Sequence, residues 1–433
     1  MRQISRDQVS STPIYYLPHH SVIKLDSVTT KIRVVFDASA KTTSNISLND
    51  VLMDGPILQN DLFSVLLRFR RHTTAFIGDL TKMYRQILIH PEHQNLQRIV
   101  WRENPQDEVK YYNLQTLTYG EKPASFLATR CLKQIAIENI HEYPTECDII
   151  NKDMYMDDIL TGASDSTDLI KIRENLSNIL LKYGFEIRKF QSNDVNFLNT
   201  ISATSDTQYL ITDDSSTKTL GVCWIPSLDI FRYKGQDLEF KTDQATKRSI
   251  LSFIAKIFDP LSLLGPILIR AKLLMQNLWL LQLEWDEPIP NDLYTQWLNF
   301  KTDLLDIQSL QVPRCVLVAK PRNIQIHAFS DASEKSYGCA IYLRSIDEQD
   351  CIKCNLLCAK SRVAPLKSIS LPRLELCGAL LMSRLLSKCL SILDLPINEI
   401  YLWTDSTIVL SWIAGQPRMW KLLLVIGCRR STR

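Results

Sequence analysis

Two aspartates lie side by side among apolar residues in the stretch NKDMYMDDIL, residues 151–160. Adjacent carboxylates repel each other, so Asp157 and Asp158 either lie in water at a turn or are held together by a positively charged partner. The flanking residues are typical of strand and core. A tight hairpin with both aspartates at its tip would project them from one end of a sheet, and this requirement constrains the fold strongly.

A third carboxylate ends another predicted strand. The segment TAFIGDL is short and apolar, and it closes with Gly78 and Asp79. If the two strands are neighbours, three carboxylates converge and raise one another's pKa unless cations neutralise them. Hard divalent cations prefer oxygen ligands, and a pair of them can activate a hydroxyl and stabilise a leaving pyrophosphate. The pattern therefore indicates nucleotidyl transfer, and its alternative is a solvated turn.

Composition and charge set the class of protein. The chain has 433 residues, 45% hydrophobic and 22% charged, which is enough for two or three globular domains. The net charge of +3 identifies no partner. Between residues 68 and 102, seven Lys and Arg stand against two acids. This local excess indicates either a surface for a polyanion or a solvated face.

The cysteines and the hydropathy pattern point to an intracellular protein. An odd number of cysteines, eleven, in a long chain is typical of reduced thiols. Cys351, Cys354 and Cys358 are only loosely spaced like metal ligands and lack a second pair, so we expect no zinc site. The start of the chain lacks the apolar core of a signal peptide. The apolar stretch at residues 260–269 is too short to span a bilayer, so we expect no membrane span.

The predicted elements fall into three regions. Up to about residue 200, strands alternate with amphipathic helices at 61–69, 123–137 and 167–183. Residues 246–310 are rich in helix, with Trp279, Trp285 and Trp297 as expected packing anchors. A third region begins near Ile324 with three antiparallel strands, a helix and a further strand.

Two motifs resemble those of reverse transcriptases. Tyr155-Met156-Asp157-Asp158 is similar to their Tyr-x-Asp-Asp box, and FIGDLTKMYRQI is similar to their earlier carboxylate motif. The resemblance implies that Asp79, Asp157 and Asp158 are catalytic and hold two Mg²⁺ ions, with Mn²⁺ as an alternative. It also implies that Tyr84, five residues after Asp79, excludes a 2′-hydroxyl. The alternative for Tyr84 is a plain core aromatic.

The same resemblance implies a set of nucleotide-binding residues. In KIRVVFDAS, Arg33 is expected to bind the triphosphate, with Lys24 as a weaker candidate. In LTYGEKPASF, Gly120 would line the nucleotide pocket. In GFEIRKF, Lys189 would protonate pyrophosphate. The segment KTLGVCW, residues 218–224, resembles the primer-grip hairpin, and its alternative is an edge strand.

A narrower resemblance covers about residues 12–420. It is to the Pao/BEL group of long-terminal-repeat retrotransposon polyproteins, and it rests on YYLPHHSVIK, RVVFDASAKT, SLNDVLMDGP, TKRSILSFIAKIFDPLSLLGP, FSDASEKSYG and SLPRLELCGALL in that order. It implies an α+β right-hand polymerase with fingers, ferredoxin-like palm and thumb or connection, followed by an incomplete ribonuclease H-like α/β domain. The expected boundaries are 1–200 for fingers and palm, 201–320 for primer grip and thumb or connection, 321–420 for the truncated ribonuclease H-like domain, and 421–433 for an aberrant tail.

The ribonuclease H-like region departs from the family pattern. The resemblance implies that Asp331, Glu375 and Asp405 are its first three acidic ligands. The family supplies a fourth carboxylate later, but this sequence has no Asp, Glu or His after Asp405, which argues against ribonuclease activity. Protease and integrase motifs of such polyproteins are also missing. The chain is therefore expected to be a polyprotein fragment or a decayed copy.

Together these inferences predict an RNA-directed DNA polymerase core that uses dNTPs on an RNA/DNA template-primer. The resemblance implies an intracellular location, in cytoplasmic virus-like particles, with a nuclear phase left open. One alternative is a catalytically inactive nucleic-acid-binding remnant of a retroelement. A second alternative, a hydrolase acting only through the third region, is less favoured because the fourth carboxylate is missing.

Overall fold

A four-stranded sheet, here called the central sheet, organises the first half of the chain. The computed structural model describes residues 1–5, 13–23, 31–202, 217–219, 222–233 and 245–415. Within them, the central sheet has the strand order β7-β8-β4-β9. Its strands are β4 (Thr74–Leu80), β7 (Met154–Tyr155), β8 (Asp158–Ala163) and β9 (Ile187–Ser192).

Helices cover the central sheet because their apolar faces share its core. Phe76 of β4 is fully buried and stacks on Phe197, with 5.1 Å between ring centroids. The helices predicted at 123–137 and 167–183 are confirmed with small shifts of their ends. The covering helices are α3 (Ala124–Asn139), α4 (Pro144–Lys152), α5 (Ser166–Lys182) and α6 (Val195–Ser202).

The N-terminal segments form two small sheets beside the central sheet. β2 (His19–Ile23) pairs antiparallel with β3 (Ile32–Phe36). A second sheet has the order β1-β6-β5. The remaining elements here are β1 (Arg2–Ile4), β5 (Arg98–Trp101), β6 (Lys110–Asn113), α1 (Leu48–Val51), α2 (Leu62–Phe69) and the 3-10 turns Met83–Gln86 and Pro91–Gln97.

A small sheet and three helices follow. The sheet has the order β10-β11-β12-β13. The three helices share one core around the fully buried Trp297 and are called the helical unit. These elements are β10 (Thr217–Thr219), β11 (Val222–Ile225), β12 (Ile230–Arg232), α7 (Lys247–Ala255), α8 (Gly265–Leu280), α9 (Asn291–Leu305) and β13 (Gln311–Pro313).

The last described region is the C-terminal sheet, in the order β16-β15-β14-β17. Its first three strands are antiparallel, and β17 runs parallel to β14. This is the predicted succession of three strands, a helix and a strand. The elements are β14 (Asn323–Ala332), β15 (Ser336–Ile346), β16 (Ile352–Val363), α10 (Leu371–Leu393), β17 (Glu399–Trp403) and α11 (Thr407–Ala414).

Helix α10 is long and apolar enough to cross a membrane by length and composition alone. Helices in the core of a globular protein pass the same test, and 56% of its most apolar window is buried. Leu381, Met382 and Leu385 of this helix lie in the core with Ile326 and Ile341 of the C-terminal sheet. The apolar character of α10 is therefore explained by packing.

Two buried arginines join the regions. Arg70, just after α2, donates to the carbonyls of Pro313 at 2.9 Å and Arg314 at 3.1 Å, and also to the carbonyl of Leu357 in β16. Arg314 in turn donates to the carbonyl of Phe69 at 2.7 Å. Both guanidinium groups are fully buried, so the central sheet, β13 and the C-terminal sheet are held by hydrogen bonds that water does not weaken.

Candidate active site

A tight hairpin between β7 and β8 presents the two adjacent aspartates. Tyr155 is the cross-strand partner of Asp158, so Met156 and Asp157 form the tip. Met156 has a φ of 55°, the left-handed conformation that such a tight turn requires. Its backbone N–H donates to Oε1 of Gln59 at 3.1 Å, which fixes the tip from outside the hairpin.

The third carboxylate lies on the neighbouring strand. Asp79 is the direct cross-strand partner of Asp158 in the antiparallel pair of β4 and β8. The backbone N–H of Leu80 donates to the carbonyl of Asp157 at 2.7 Å. Directly paired residues have Cα atoms about 4.5–5.5 Å apart. The structure thus brings Asp79, Asp157 and Asp158 together at one end of the central sheet.

Crowding changes the protonation of the two hairpin carboxylates. Burial, followed by the negative charges of Asp157 and Asp79, raises the pKa of Asp158 to about 7. The pKa of Asp157 is also raised, first by partial burial of its carboxyl and then by the negative charge of Asp79. Part of Asp157 is still exposed to solvent. The positive charge of Lys189 lowers the pKa of both Asp157 and Asp158. The site therefore has an excess of negative charge that a cation would relieve.

Lys189 provides part of that positive charge. Its ammonium lies 3.1 Å from Oδ2 of Asp79. β9 pairs with β4 on the side away from β8, which places Lys189 next to the acids, and its φ is 55°. The structure thus places this predicted site residue against a predicted metal ligand.

The donor set fits hard divalent cations. Three carboxylates on adjoining strands supply oxygen ligands, and their mutual repulsion, which adds to burial in raising the pKa of Asp158, favours a bound cation. As the side chains stand, no group of three or more His, Cys, Asp or Glu within the described ranges is arranged to hold an ion. Lys189 bonds Oδ2 of Asp79, so a cation at that oxygen would compete with this ion pair.

Three of the four remaining predicted nucleotide-binding residues lie within the described part of the chain. Arg33 on β3 is exposed, and its positive charge opposes, as the last of several effects, the burial that raises the pKa of Asp157. Tyr84 is half-buried in the 3-10 turn after β4, with its hydroxyl 3.4 Å from Oγ of Ser125. Gly120 has a φ of 96°. Lys24 lies outside the described residues.

Gly120 lies in a turn that has no room for a side chain at this position. A Cβ at this position would lie 2.5 Å from the carbonyl oxygen of Phe36 on β3. Asn49 holds the turn on both sides, since its amide donates to the carbonyl of Gly120 at 3.0 Å and accepts from the N–H of Lys122 at 2.8 Å. The turn therefore sits tightly against the strand that carries Arg33.

Sequence reasoning missed the support of the hairpin. Asp153, four residues before Asp157, is buried and accepts from Nε of Arg68 at 2.6 Å and from Oγ1 of Thr161 at 2.9 Å. Arg68 also bonds the carbonyl of Lys152. The only signal was an acid in the apolar run before the twin aspartates. Its buried partner lies 85 positions away along the chain, so no local pattern could identify it.

A second group of acids lies in the C-terminal sheet. The parallel pairing of β14 with β17 ends at Phe329 opposite Trp403, and Asp331 and Asp405 lie two residues beyond these partners. Both aspartates line one cavity of about 800 Å³. Glu375 is one turn before Gly378, where α10 approaches Asp331 so closely that a Cβ would be 3.2 Å from its carbonyl oxygen. Asp331 and Asp405 are thus neighbours, and Glu375 lies one turn away on the helix that approaches Asp331.

The fold is similar to that of the foamy viral protease-reverse transcriptase. Its structure in complex with an RNA/DNA hybrid aligns with a TM-score of 0.58 and 13% identity over 97% of this chain and 49% of that one. Its structure in complex with dsDNA aligns with a TM-score of 0.59 and 17% identity over 98% and 76%. The present chain spans about half the length of the first. The class of fold is therefore a mixed α/β fold resembling a retroviral reverse transcriptase with a ribonuclease H-like domain.

A family match adds to the similarity of fold. Residues 246–406 match the family described as "Pao retrotransposon-like RNaseH-like domain", and no curated protein matches the chain. The match begins in the helical unit, before the boundary predicted at residue 321. Together with the fold, this match supports the predicted resemblance to a Pao/BEL-type retroelement polyprotein fragment.

Proposed function

We propose that this chain is an RNA-directed DNA polymerase that transfers deoxynucleotides from dNTPs to the 3′-hydroxyl of a primer. The observation that carries the proposal is the register of the central sheet, in which Asp79 opposes Asp158 and Asp157 adjoins both at the hairpin tip. Three carboxylates at one sheet end match the requirement of nucleotidyl transfer for paired divalent ions.

Each acid has a defined role in the proposal. Asp79, Asp157 and Asp158 hold Mg²⁺ through their carboxylate oxygens. When bound, such ions supply activation of a hydroxyl and charge neutralisation at the leaving pyrophosphate. Lys189, released from Asp79, is a proton donor within reach of the same site.

Residues around the acids bind and select the nucleotide. Arg33 suits phosphate oxygens because its planar guanidinium donates in pairs. Tyr84 discriminates against ribose by occupying the space of a 2′-hydroxyl, and Gly120 allows the backbone to approach the base pair closely. The foamy viral enzymes whose fold is similar were solved with an RNA/DNA hybrid or with double-stranded DNA. A template-primer duplex is the ligand we propose here.

Primer extension tests the proposal. The parent protein, with Mg²⁺, dNTPs and a DNA primer on an RNA template, should extend the primer. Asp157→Asn should reduce the rate about a thousandfold, because metal ligation of a reacting oxygen contributes several kcal/mol, while template binding persists. The matched control is Asp148→Asn, which removes an exposed carboxylate paired with Lys152. Extension by Asp157→Asn at the control's rate would exclude the role.

The alternatives give different results in the same assay. A nucleic-acid-binding remnant would bind the template-primer without extending it. The closeness of Asp331 and Asp405 keeps hydrolysis of a hybrid as a second candidate. Hybrid cleavage that survives Asp157→Asn and disappears in Asp331→Asn would identify that activity.

A further inference from the structure

The three acids of the candidate active site are not held equally well by the sheet. Asp79 and Asp158 lie on β4 and β8, the two inner strands of the central sheet, which are joined by six cross-strand pairs. Asp157 lies at the hairpin tip, and the strand before it, β7, has two residues and lies at the sheet edge. So short an edge strand has few bonds of its own to fix its position. The position of Asp157 therefore depends on what holds β7.

Asp153, directly before β7, contacts two successive residues of β8. Its carbonyl accepts from the backbone N–H of Leu160 at 3.0 Å, and its Oδ2 accepts from the hydroxyl of Thr161 at 2.9 Å. Thr161 carries the only hydroxyl in β8 and lies between Leu160 and Gly162. A shift of β7 by one residue would bring the carboxylate to Leu160 or Gly162, whose side chains cannot donate. The present register is therefore the one in which β8 offers Asp153 a side-chain donor.

Arg68 in α2 binds the other oxygen of the same carboxylate. Its Nε donates to Oδ1 of Asp153 at 2.6 Å, and its guanidinium also bonds the carbonyl of Lys152. Burial raises the pKa of Asp153, and the positive charge of Arg68 opposes this. Arg68, Asp153 and Thr161 are 4%, 3% and 1% exposed, so water does not weaken these bonds. Moving β7 would leave a buried charge without its partner, which is strongly unfavourable.

We propose that Asp153, Arg68 and Thr161 are positioning residues that fix the register of β7 and thereby hold Asp157 beside Asp79. A buried charged pair suits this task because, unlike apolar contacts, its hydrogen bonds are satisfied in one alignment. The inference rests on the proposed function for the use of the held carboxylate, which is to bind a divalent ion.

Two backbone N–H groups report on the position of the tip. The N–H of Leu80 donates to the carbonyl of Asp157, and the N–H of Met156 donates to Gln59. A displaced β7 breaks both bonds, and the two amides then exchange their hydrogens with water. The test is hydrogen exchange at single-residue resolution, by mass spectrometry of the full chain without divalent ions. Thr161→Val keeps the shape and removes the hydroxyl, so exchange at both amides should become about tenfold faster or more.

Matched variants separate the register of β7 from a general loss of stability. Thr161→Ser keeps the hydroxyl and should keep both amides close to the parent rate. Thr74→Val removes a hydroxyl bonded at 3.0 Å to the carbonyl of Ala163, at the opposite end of the same strand pair. It should leave both rates unchanged. A folded Thr161→Val protein with the parent rates overturns the proposal. If that variant does not fold, Arg68→Lys decides in the same way, because it keeps the charge and loses the planar fork.

Mg²⁺ affinity connects the register of β7 to the site. Where the parent chain binds Mg²⁺, Thr161→Val should lower the association constant about tenfold to a hundredfold, as the loss of an outer-shell partner does. The rise of the unfolding midpoint with Mg²⁺ concentration measures it, and Thr74→Val should show the parent constant. Faster exchange with an unchanged constant would overturn the claim that these residues hold Asp157 for the ion. A parent chain that neither binds Mg²⁺ nor extends primers refutes the proposed function, and the exchange rates still decide whether the three residues fix the hairpin.

Discussion

Asp158 shows how a strand register can fix an unfavourable arrangement of charge. Its partner across the strands is Asp79 and its chain neighbour is Asp157, so three carboxylates cannot separate without breaking the hairpin. Its pKa is about 7 in the folded protein against 3.8 ordinarily. A folded-state pKa above the unfolded value means that, without cations, stability falls as the pH rises from about 4 to about 7.

Cation affinity should depend on pH in the opposite direction. Below pH 7 the carboxyl of Asp158 is protonated and offers no anionic oxygen, so the apparent association constant for Mg²⁺ should fall about tenfold for each pH unit. The increase in the unfolding midpoint with Mg²⁺ concentration measures it. Asp158→Asn should remove most of the pH dependence. An affinity that is constant from pH 6 to pH 8 in the parent protein would contradict this.

Tyr84 is expected to decide which sugar is accepted. Tyr84→Ala removes the ring and should raise the use of ribonucleotides relative to deoxyribonucleotides by about tenfold or more, the range over which steric pockets discriminate. Competitive incorporation of dNTPs and rNTPs measures the ratio. Tyr84→Phe is the control, because it keeps the ring and loses only the hydroxyl near Ser125. An unchanged ratio in Tyr84→Ala would mean that Tyr84 is not the selecting residue.

At the scale of elements, the sequence pattern predicted correctly those features that depend on neighbouring residues in the chain. Helix α5 followed from its amphipathic pattern, and Gly184, with a φ of 83°, lies just beyond its end. The packing of Trp279 and Trp285 was predicted wrongly, since they are 52% and 38% exposed. Periodicity shows which face of a helix is apolar but not whether a partner covers it. Here the ammonium of Lys247 lies 4.4 Å from the ring centroid of Trp279, which stabilises an exposed ring.

The turn at Gly120 should be intolerant of a side chain. Gly120→Ala adds a Cβ at 2.5 Å from the carbonyl of Phe36, in a backbone conformation that costs about 1 kcal/mol or more outside glycine. We expect a higher KM for dNTPs and a lower extension rate in steady-state kinetics. Gly184→Ala has a similar φ strain with no atom within 4 Å of its Cβ, so it should lower stability but not raise the KM. Equal KM values in both variants would contradict a role for the close approach.

At the scale of the whole molecule, the end of α2 connects the central sheet with the C-terminal sheet and its helix α10. Arg68 bonds Asp153 below the hairpin, Arg70 bonds Leu357 of β16, and Arg71 donates to the carbonyl of Leu393 at the end of α10 at 2.8 Å. The cluster of basic residues that the sequence offered as a polyanion surface is therefore partly internal. Sequence composition could not show this, because burial of these residues depends on distant carbonyls.

Loss of one of these arginines should destabilise the protein strongly. Arg70→Met removes the donor to the two buried carbonyls of Arg314 and Leu357, each costing about 1–3 kcal/mol, so we expect a loss of roughly 2 kcal/mol or more in the free energy of unfolding. Urea unfolding measures it. The control is Arg322→Met, which removes an exposed ion pair with Asp350 and should cost less than about 1 kcal/mol. Similar losses in both variants would contradict the importance of burial.

The short helix α2 also affects the distance between the two acid groups. Its end is bonded directly to the support of the twin-aspartate hairpin and to the sheet that carries Asp331, so these bonds set the span between the two acid groups. A nucleic-acid duplex that contacted both acid groups would do so at two positions separated by a constant number of base pairs. Any product of coordinated synthesis and cutting would then have a length dictated by the protein and not by the template.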